Sequence, residues 1–273
     1  MDAAQRRDSL GVNVHALHNN TAFETTVPDR HERVVNGFSD DGVMEEHRRR
    51  YEFACSYING ARVLDAAGGS GYGAAMLAEQ GSQWIAALDF DFPSLRWGRL
   101  HHAHVRTHAV GGDCMHMPFA RSTFDVVVSF ETIEHLHNPA DFLIEVHRVL
   151  VPNGLFIVST PNPFTANFPG GWFSGRTPAP ENPHHVREYD MMELRTLLQN
   201  LFRIESMHMQ KALPRLRVSA IAAEMRLRPK QSPRLLERYH SVFAKADPRV
   251  LPYRSGAIPA FILIVARRHE IGT

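Results

Sequence analysis

The sequence of 273 residues predicts an α/β domain built around a parallel sheet, and three observations carry that prediction. First, residues 63–73 read VLDAAGGSGYG, a short apolar strand ending in an acid and then a run of glycines, with the helix-forming stretch AAMLA at 74–78 directly behind. Backbone without a Cβ turns sharply and lets a ligand approach closely. The helix end behind such a turn offers unpaired N–H groups and a partial positive charge. Second, acids recur at strand ends. Residues 84–88 (WIAAL) run into Asp89, 24 positions after Asp65, and the next strand candidate ends at Gly111-Gly112-Asp113, 24 positions further on. A carboxylate about 20 residues past the glycine turn is where such sheets meet ribose hydroxyls. Third, residues 124–130 (FDVVVSF) form a nearly continuous apolar run, as a strand buried on both faces requires, and Glu131 follows. Polar groups at these strand ends gather on one rim of the sheet, where open α/β sheets bind ligands.

The remaining elements follow in chain order. Residues 1–43 are polar and irregular and are assigned to an N-terminal arm; 44–58 read as a helix leading into the first strand. Asn138 takes the N-cap position before Pro139, a residue suited to the first helical turn. Phe142, Leu143, Val146, Val149 and Leu150 then mark an apolar helical face. Asn153-Gly154 signals a turn into a fifth strand at 155–160. Residues 161–183 hold six prolines and three glycines, a loop too long for a mere connection. A helix over 188–200, a strand over 202–207 and a last strand over 257–266 complete the pattern. Between those strands, residues 211–250 carry ten Lys/Arg against three acids, +7 in a chain of net charge +1. Such a run is a solvated helical face or a docking surface or lid for an anionic acceptor.

Composition sets limits. A chain of this length buries one sizeable core, and its 44% apolar content is that of an ordinary globular protein. Two cysteines, Cys55 and Cys114, make no disulfide framework, which points to a reducing cytoplasm. The first 20 residues are too polar for a secretory signal. The longest apolar run, 257–266, is too short to span a bilayer and contains Pro259. No RNA-binding module signature is present, which argues against a nucleic-acid partner. Self-association as a homo-oligomer stays open.

Five motifs in order resemble the class I S-adenosylmethionine-dependent methyltransferases. Residues 63–71 are similar to the family's glycine-rich first motif, 87–89 to its ribose-binding strand end, and 112–119 (GDCMHMPF) to its adenine-binding segment. Residues 124–136 resemble its FDVV…EH strand and 148–155 (RVLVPNGL) its strand-entry turn. One departure is that Ala67 stands where a glycine is usual. The resemblance covers about residues 30–205 and the last strand. It implies a Rossmann-like fold with a seven-stranded, mostly parallel sheet, its last strand antiparallel beside the fifth. The methyltransferase domain would comprise 44–207 and 257–273, with an acceptor loop at 161–187 and a basic helical insertion or lid at 208–256. It also implies cofactor roles. Asp65 and the backbone of Ala67, Gly69 and Gly71 hold the methionine portion; Asp89 takes the ribose hydroxyls; Phe90 covers the adenine; Asp113 and the Cys114 backbone meet its amino edge; Phe130 closes the same set.

Within that resemblance, residues 182–189 (NPHHVREY) and the stretches 32–35 (ERVV) and 46–51 (EHRRRY) are similar to bacterial methyltransferases of sugar and polysaccharide pathways. Arg33 would meet the cofactor carboxylate and Tyr51 its methionine portion. Phe164, Phe168, Trp172 and Phe173 either stack on an acceptor or plug the loop onto the domain.

Transfer to a hydroxyl needs in-line alignment and removal of a proton. Residues 131–137 (ETIEHLH) supply candidates just past the fourth strand. His135 and His137 are candidate bases, with His185 a further one. If the first turn here is helical, Glu131, Glu134 and His135 share one side and form a candidate Mg²⁺ set, a pattern similar to ubiquinone-biosynthesis O-methyltransferases. The same Glu-His pair also occurs in metal-free relatives as a structural partner. His101, His102, His104 and His108 read as packing or surface residues. The expected function is O-methylation of a sugar, polysaccharide precursor or secondary metabolite, a small-molecule or saccharide acceptor, with an anionic one among the options. The alternatives are an N- or C-methyltransferase without metal and a non-catalytic cofactor-binding scaffold. A Rossmann oxidoreductase would leave the GD…PF and Glu-His segments without a role.

Overall fold

The structure is a computed structural model and describes residues 41–166, 168, 179–180 and 182–269. Its centre is one eight-stranded sheet in the order β3-β2-β1-β4-β5-β8-β6-β7. The strands are β1 (Arg62–Ala66), β2 (Trp84–Asp89), β3 (Thr107–Gly111), β4 (Phe124–Phe130), β5 (Leu150–Pro161), β6 (Phe202–Pro214), β7 (Val250–Pro252) and β8 (Ala257–Arg268). β1 to β5 are parallel. β8 inserts antiparallel between β5 and β6, as expected for the last strand.

The period-two alternation of a sheet covered on both sides is visible residue by residue. Leu64, Ala66, Leu88, Val127, Phe156, Val158, Ile262 and Ile264 point into one core, which is closed by α4 (Pro139–Val149) and α6 (Met191–Leu198). Val63, Ile85, Ala87, Val126, Val128, Ile157, Leu263 and Val265 point into the other, which is closed by α1 (Asp41–Cys55) and α2 (Tyr72–Glu79). Each fully buried Leu, Ile, Val or Phe contributes roughly 1.5–3 kcal/mol, so the two layers are the main source of stability. The remaining helices are α3 (Phe92–His101), the short α5 (Pro163–Ala166), and the pair α7 (Arg215–Leu227) and α8 (Ser232–Ala244).

Four details correct the sequence reading. The sheet has eight strands rather than seven. The added strand, β7, is three residues long and ends in proline, too short to leave a period, and it pairs with His208–Gln210 of β6. β6 itself runs on to Pro214 because β8 offers partners as far as Ala257; the 208–256 segment is therefore part strand and not a purely helical insertion. The first helix begins at Asp41, inside the span assigned to the arm, and residues 1–40 lie outside the described residues. Finally, Asn138 occupies the N-cap position without capping: its Nδ2 donates to Asp141 at 2.6 Å instead of accepting a helix N–H. Pro139 still starts α4, its fixed φ being suited to the first turn.

Candidate active site

The carboxyl ends of β1, β2 and β4 converge on the glycine turn. Three residues of that turn have positive φ: Ala67 (61°), Gly69 (56°) and Gly71 (74°). Ala67 thus bears the left-handed strain that a glycine avoids. The turn is braced from β2. Gly68 N–H donates to the Leu88 carbonyl at 3.1 Å. Gly69 N–H donates to Asp89 Oδ2 at 2.8 Å, and Asp91 N–H to Asp89 Oδ1 at 2.9 Å. Asp89 therefore fixes the turn's shape with the carboxylate expected to meet the ribose. Phe90, immediately after it, is 69% exposed.

Below the turn lies an aromatic box. Tyr51 reaches in from α1 and donates its hydroxyl to Asp65, 3.1 and 3.2 Å from the two carboxylate oxygens. Its ring meets Tyr72 and Phe130 edge-on, at 5.6 and 5.0 Å between centroids. Gly73 makes room for it, since a Cβ there would lie 2.0 Å from the Tyr51 ring. Burial raises the Asp65 carboxyl to about 7; the Tyr51 hydrogen bond opposes this and the Asp89 charge adds to it. A buried carboxylate that meets no cationic side chain among the described residues is the complement an α-ammonium group requires.

Asp113 sits beyond β3 with Oδ1 on the Met115 N–H at 2.8 Å and Oδ2 on His116 Nδ1 at 3.1 Å. Partial burial would raise its carboxyl, but those two bonds outweigh that and hold it below the usual range. Burial pushes the neighbouring Cys114 thiol up to about 12, so it stays protonated and is no nucleophile. Arg33, Trp172 and Phe173 lie outside the described residues. Phe168 stacks on Tyr239 of α8 with ring centroids 3.8 Å apart, which favours its role as a plug.

The segment after β4 is not the helical turn on which the metal set was built. Glu131 has φ 54°, and only Ile133–His135 form a 3₁₀ turn. Glu131 is drawn toward β5, where its Oε1 accepts from the Ser159 hydroxyl at 2.7 Å. Glu134, His135 and His185 come together instead, each with a ligating atom within 4.8 Å of the others. The joining is done by backbone: Val186 and Arg187 N–H groups both donate to the Glu134 carbonyl, at 2.7 and 3.1 Å. The His135 and His185 rings meet edge-on at 4.8 Å. His137 is exposed, outside this group.

The hydrogen bonds decide what each imidazole does. His135 Nδ1 lies 3.0 Å from the His184 carbonyl. A carbonyl only accepts, so Nδ1 carries the proton and Nε2 is the basic nitrogen. His185 Nδ1 lies 2.8 Å from Glu188, a carboxylate that is itself buried, and His185 Nε2 lies 2.9 Å from the Asn182 amide. Both His185 nitrogens are thus engaged in holding the loop. Burial, and then the charge of Glu131, hold the Glu134 carboxyl well above the usual range; Thr160 donates to its Oε2 at 2.9 Å, while Oε1 is buried without a hydrogen-bond partner among the described residues. Two imidazoles with one carboxylate do not fit Mg²⁺, which takes oxygen ligands in a near-ideal octahedron. Glu131, the further oxygen donor expected there, is on Ser159. The Mg²⁺ set is therefore not assembled.

Arg50 went unread in the sequence. It is fully buried; its Nη1 donates to Gln210 Oε1 at 2.7 Å, and its guanidinium lies over the Phe261 ring at 4.6 Å. Its Nε has no partner among the described residues. Its charge opposes the upward push of burial on Glu131. The signal was helical spacing: Glu46, Arg50, Tyr51 and Ala54 form the buried side of α1. Its neighbours Arg48 and Arg49 face outward and pair with Glu45 and Glu52.

A glycine turn braced by Asp89, over a buried Asp65, at the carboxyl rim of this sheet order defines a Rossmann-like methyltransferase fold. Comparison with known proteins agrees. Residues 64–158 match the family described as "Methyltransferase domain". The chain is 34% identical over 184 residues to a "probable S-adenosylmethionine-dependent methyltransferase" of Mycolicibacterium smegmatis, covering 65% of this chain and 66% of that protein. It is 30% identical over 126 residues to a demethylmenaquinone methyltransferase of Renibacterium salmoninarum, covering 46% of this chain and 52% of that one. The solved structure of an S-adenosylmethionine-dependent methyltransferase from Mesorhizobium loti shares the fold, with a TM-score of 0.54 and 19% identity over 82% of this chain and 100% of the other. Residues 64–158 thus form a methyltransferase domain, and the chain spans between about half and two thirds of the length of the curated relatives it matches.

Proposed function

We propose that the chain is an O-methyltransferase that transfers the methyl group of S-adenosylmethionine to a hydroxyl of a small acceptor, with His135 as general base. The observation that carries this reading is the His184 carbonyl on His135 Nδ1, which places the ring proton on Nδ1 and makes Nε2 the basic nitrogen. The cofactor supplies a methyl group already activated on a sulfonium. Asp65 and the N–H groups of the glycine turn bind its amino-acid portion, Asp89 meets its ribose, and Asp113 with Phe90 flank its adenine. His135 Nε2 would take the hydroxyl proton as the acceptor oxygen gains the methyl group that the bound sulfonium would supply, the departing electron pair remaining on its sulfur. His185, held by Glu188 and Asn182, positions the loop against Glu134 and so orients His135. Proximity and alignment contribute on the order of 7–11 kcal/mol in well-ordered systems, and a base adds about 10²–10⁴-fold.

The buried Arg50 supports an acceptor with an anionic group, and the likeness of 182–189 to enzymes of polysaccharide pathways supports a sugar hydroxyl. No step is assigned to Mg²⁺. An N- or C-methyltransferase is the second reading, since one relative, 30% identical over 126 residues, is named a demethylmenaquinone methyltransferase. The test is calorimetry with S-adenosylhomocysteine followed by a methyl-transfer assay on a panel of hydroxyl, amine and carbon acceptors. Binding lost in Asp89→Ala, and turnover on hydroxyl acceptors that falls in His135→Ala while affinity for the cofactor product persists, is the expected pair. Turnover confined to amines or carbon acceptors would remove the oxygen assignment, and no binding of S-adenosylhomocysteine would remove the enzyme.

A further inference from the structure

Helix α7 is apolar on two sides, and only one of them packs against other described residues. Val218, Ile221, Ala222 and Met225 are buried against Leu235, Tyr239 and Phe243 of α8. The outer side carries Leu216, Ala220, Ala223 and Leu227, all exposed, the two leucines at 86% and 81%. Their spacing of four, three and four places them within about 60° of one another around the helix axis. Arg215 and Arg226 flank this stripe on one side and Arg217 and Arg228 on the other. Beyond Leu227 the turn to α8 continues with Lys230 and Arg234, so residues 226–234 hold four cations and no acid. Glu224 is the one acid on α7, and its contacts with Arg228 and Arg238 are long, 3.6 and 3.8 Å.

We infer that this face of α7 docks on an anionic phospholipid bilayer surface. An apolar stripe bordered by guanidinium groups suits the boundary between acyl chains and phosphates: the leucines enter the apolar layer while the arginines stay at headgroup depth. The other occupants fit less well. A second copy of the chain would set like charges against each other, since 211–250 carries ten Lys/Arg and three acids. A nucleic acid would satisfy the arginines and leave the leucines in water. The stripe is also placed for use. Tyr239 of α8 donates to the Thr165 carbonyl at 3.2 Å and stacks on Phe168, tying the α7–α8 pair to the segment that leaves β5 at the acceptor end of the sheet. Docking through α7 would hold that end near the bilayer.

The experiment is co-sedimentation of the full chain with vesicles of phosphatidylglycerol mixed with phosphatidylcholine, against vesicles of phosphatidylcholine alone, at low and physiological salt. Binding to the anionic vesicles is expected, weakening as salt rises. Leu216→Asp with Leu227→Asp, and separately Arg226→Glu with Arg234→Glu, should each weaken it by at least about tenfold, with the melting temperature and the S-adenosylhomocysteine affinity unchanged. The inference is overturned by failure to bind anionic vesicles at low salt, by equal binding to both vesicle types, or by undiminished binding of the leucine variant. It is equally overturned if the chain is a dimer in solution that the leucine variant dissociates, or if an acidic protein or a nucleic acid binds through this stripe and the anionic vesicles do not.

Discussion

The two halves of the site are built differently. On the cofactor side, contacts are short in sequence: Gly69 N–H to Asp89 spans 20 positions and Tyr51 to Asp65 spans 14. On the acceptor side the joining contacts are long: His135 meets the His184 carbonyl across 49 positions, and Arg50 meets Gln210 across 160. Local backbone geometry imposes residue types at set spacings, so the first half carries a motif. Nothing in a chain's spacing announces which residues 160 positions apart will touch.

The sharpest way to break this contrast is at His135. If its role is proton removal, His135→Asn keeps a donor to the His184 carbonyl and loses the base, and kcat on a hydroxyl acceptor should fall by about 10²–10⁴ with cofactor affinity unchanged. Equal losses in cofactor binding and turnover would show instead that the acceptor half merely supports the cofactor half. His185→Ala tests positioning: turnover should fall while the rise of rate with pH on the acid limb of the profile remains, because the base is still present.

Asp65→Asn tests the cofactor half by a signed pH effect. The native carboxyl is raised from 3.8 to about 7, so between pH 4 and 7 the folded state keeps a proton that the unfolded state has lost. Stability then falls as pH rises through that window, and the full cost is present above 7, about 4 kcal/mol at most. Asparagine does not ionise. The variant should therefore melt higher than the parent at pH 8, melt alongside it at pH 4, and bind S-adenosylhomocysteine poorly at both. A pH-independent difference in melting temperature would mean that Asp65 ionises normally in the fold.

Much of the fold could be read because burial on both faces leaves continuous apolar strands, and residues 124–130 are one. β7 could not, since three residues carry no period. In the site, Asp65, Asp89 and the glycines were legible through spacing. Glu131 was misassigned because a helical i, i+3, i+4 pattern was assumed where the backbone takes φ 54° and turns the side chain to Ser159. His185 was found through a motif, yet its engagement by Glu188 and Asn182 came only with the folded loop. Arg50 was hidden among three arginines, two of which are ordinary surface partners of glutamates.

Gly73→Ala sets two effects against each other inside the cofactor half. In an exposed helix the change is favourable by about 1 kcal/mol. Here the new methyl would stand 2.0 Å from a ring that Tyr72 and Phe130 hold edge-on, and overpacking of that kind costs about 1–3 kcal/mol. A net loss of stability with weaker cofactor binding is expected, and a more stable variant would show that Tyr51 is free to move.

Ala67→Gly is the smallest change and the finest test. At φ 61° an alanine carries left-handed strain of about 1–2 kcal/mol, while glycine loses more backbone entropy on folding, roughly 0.5–1 kcal/mol. The difference leaves a gain of about 1 kcal/mol or less, readable as a small rise in the denaturation midpoint at unchanged slope. If the midpoint instead falls, this chain's alanine is held by contacts that glycine cannot make, and the turn would owe its shape to side-chain packing.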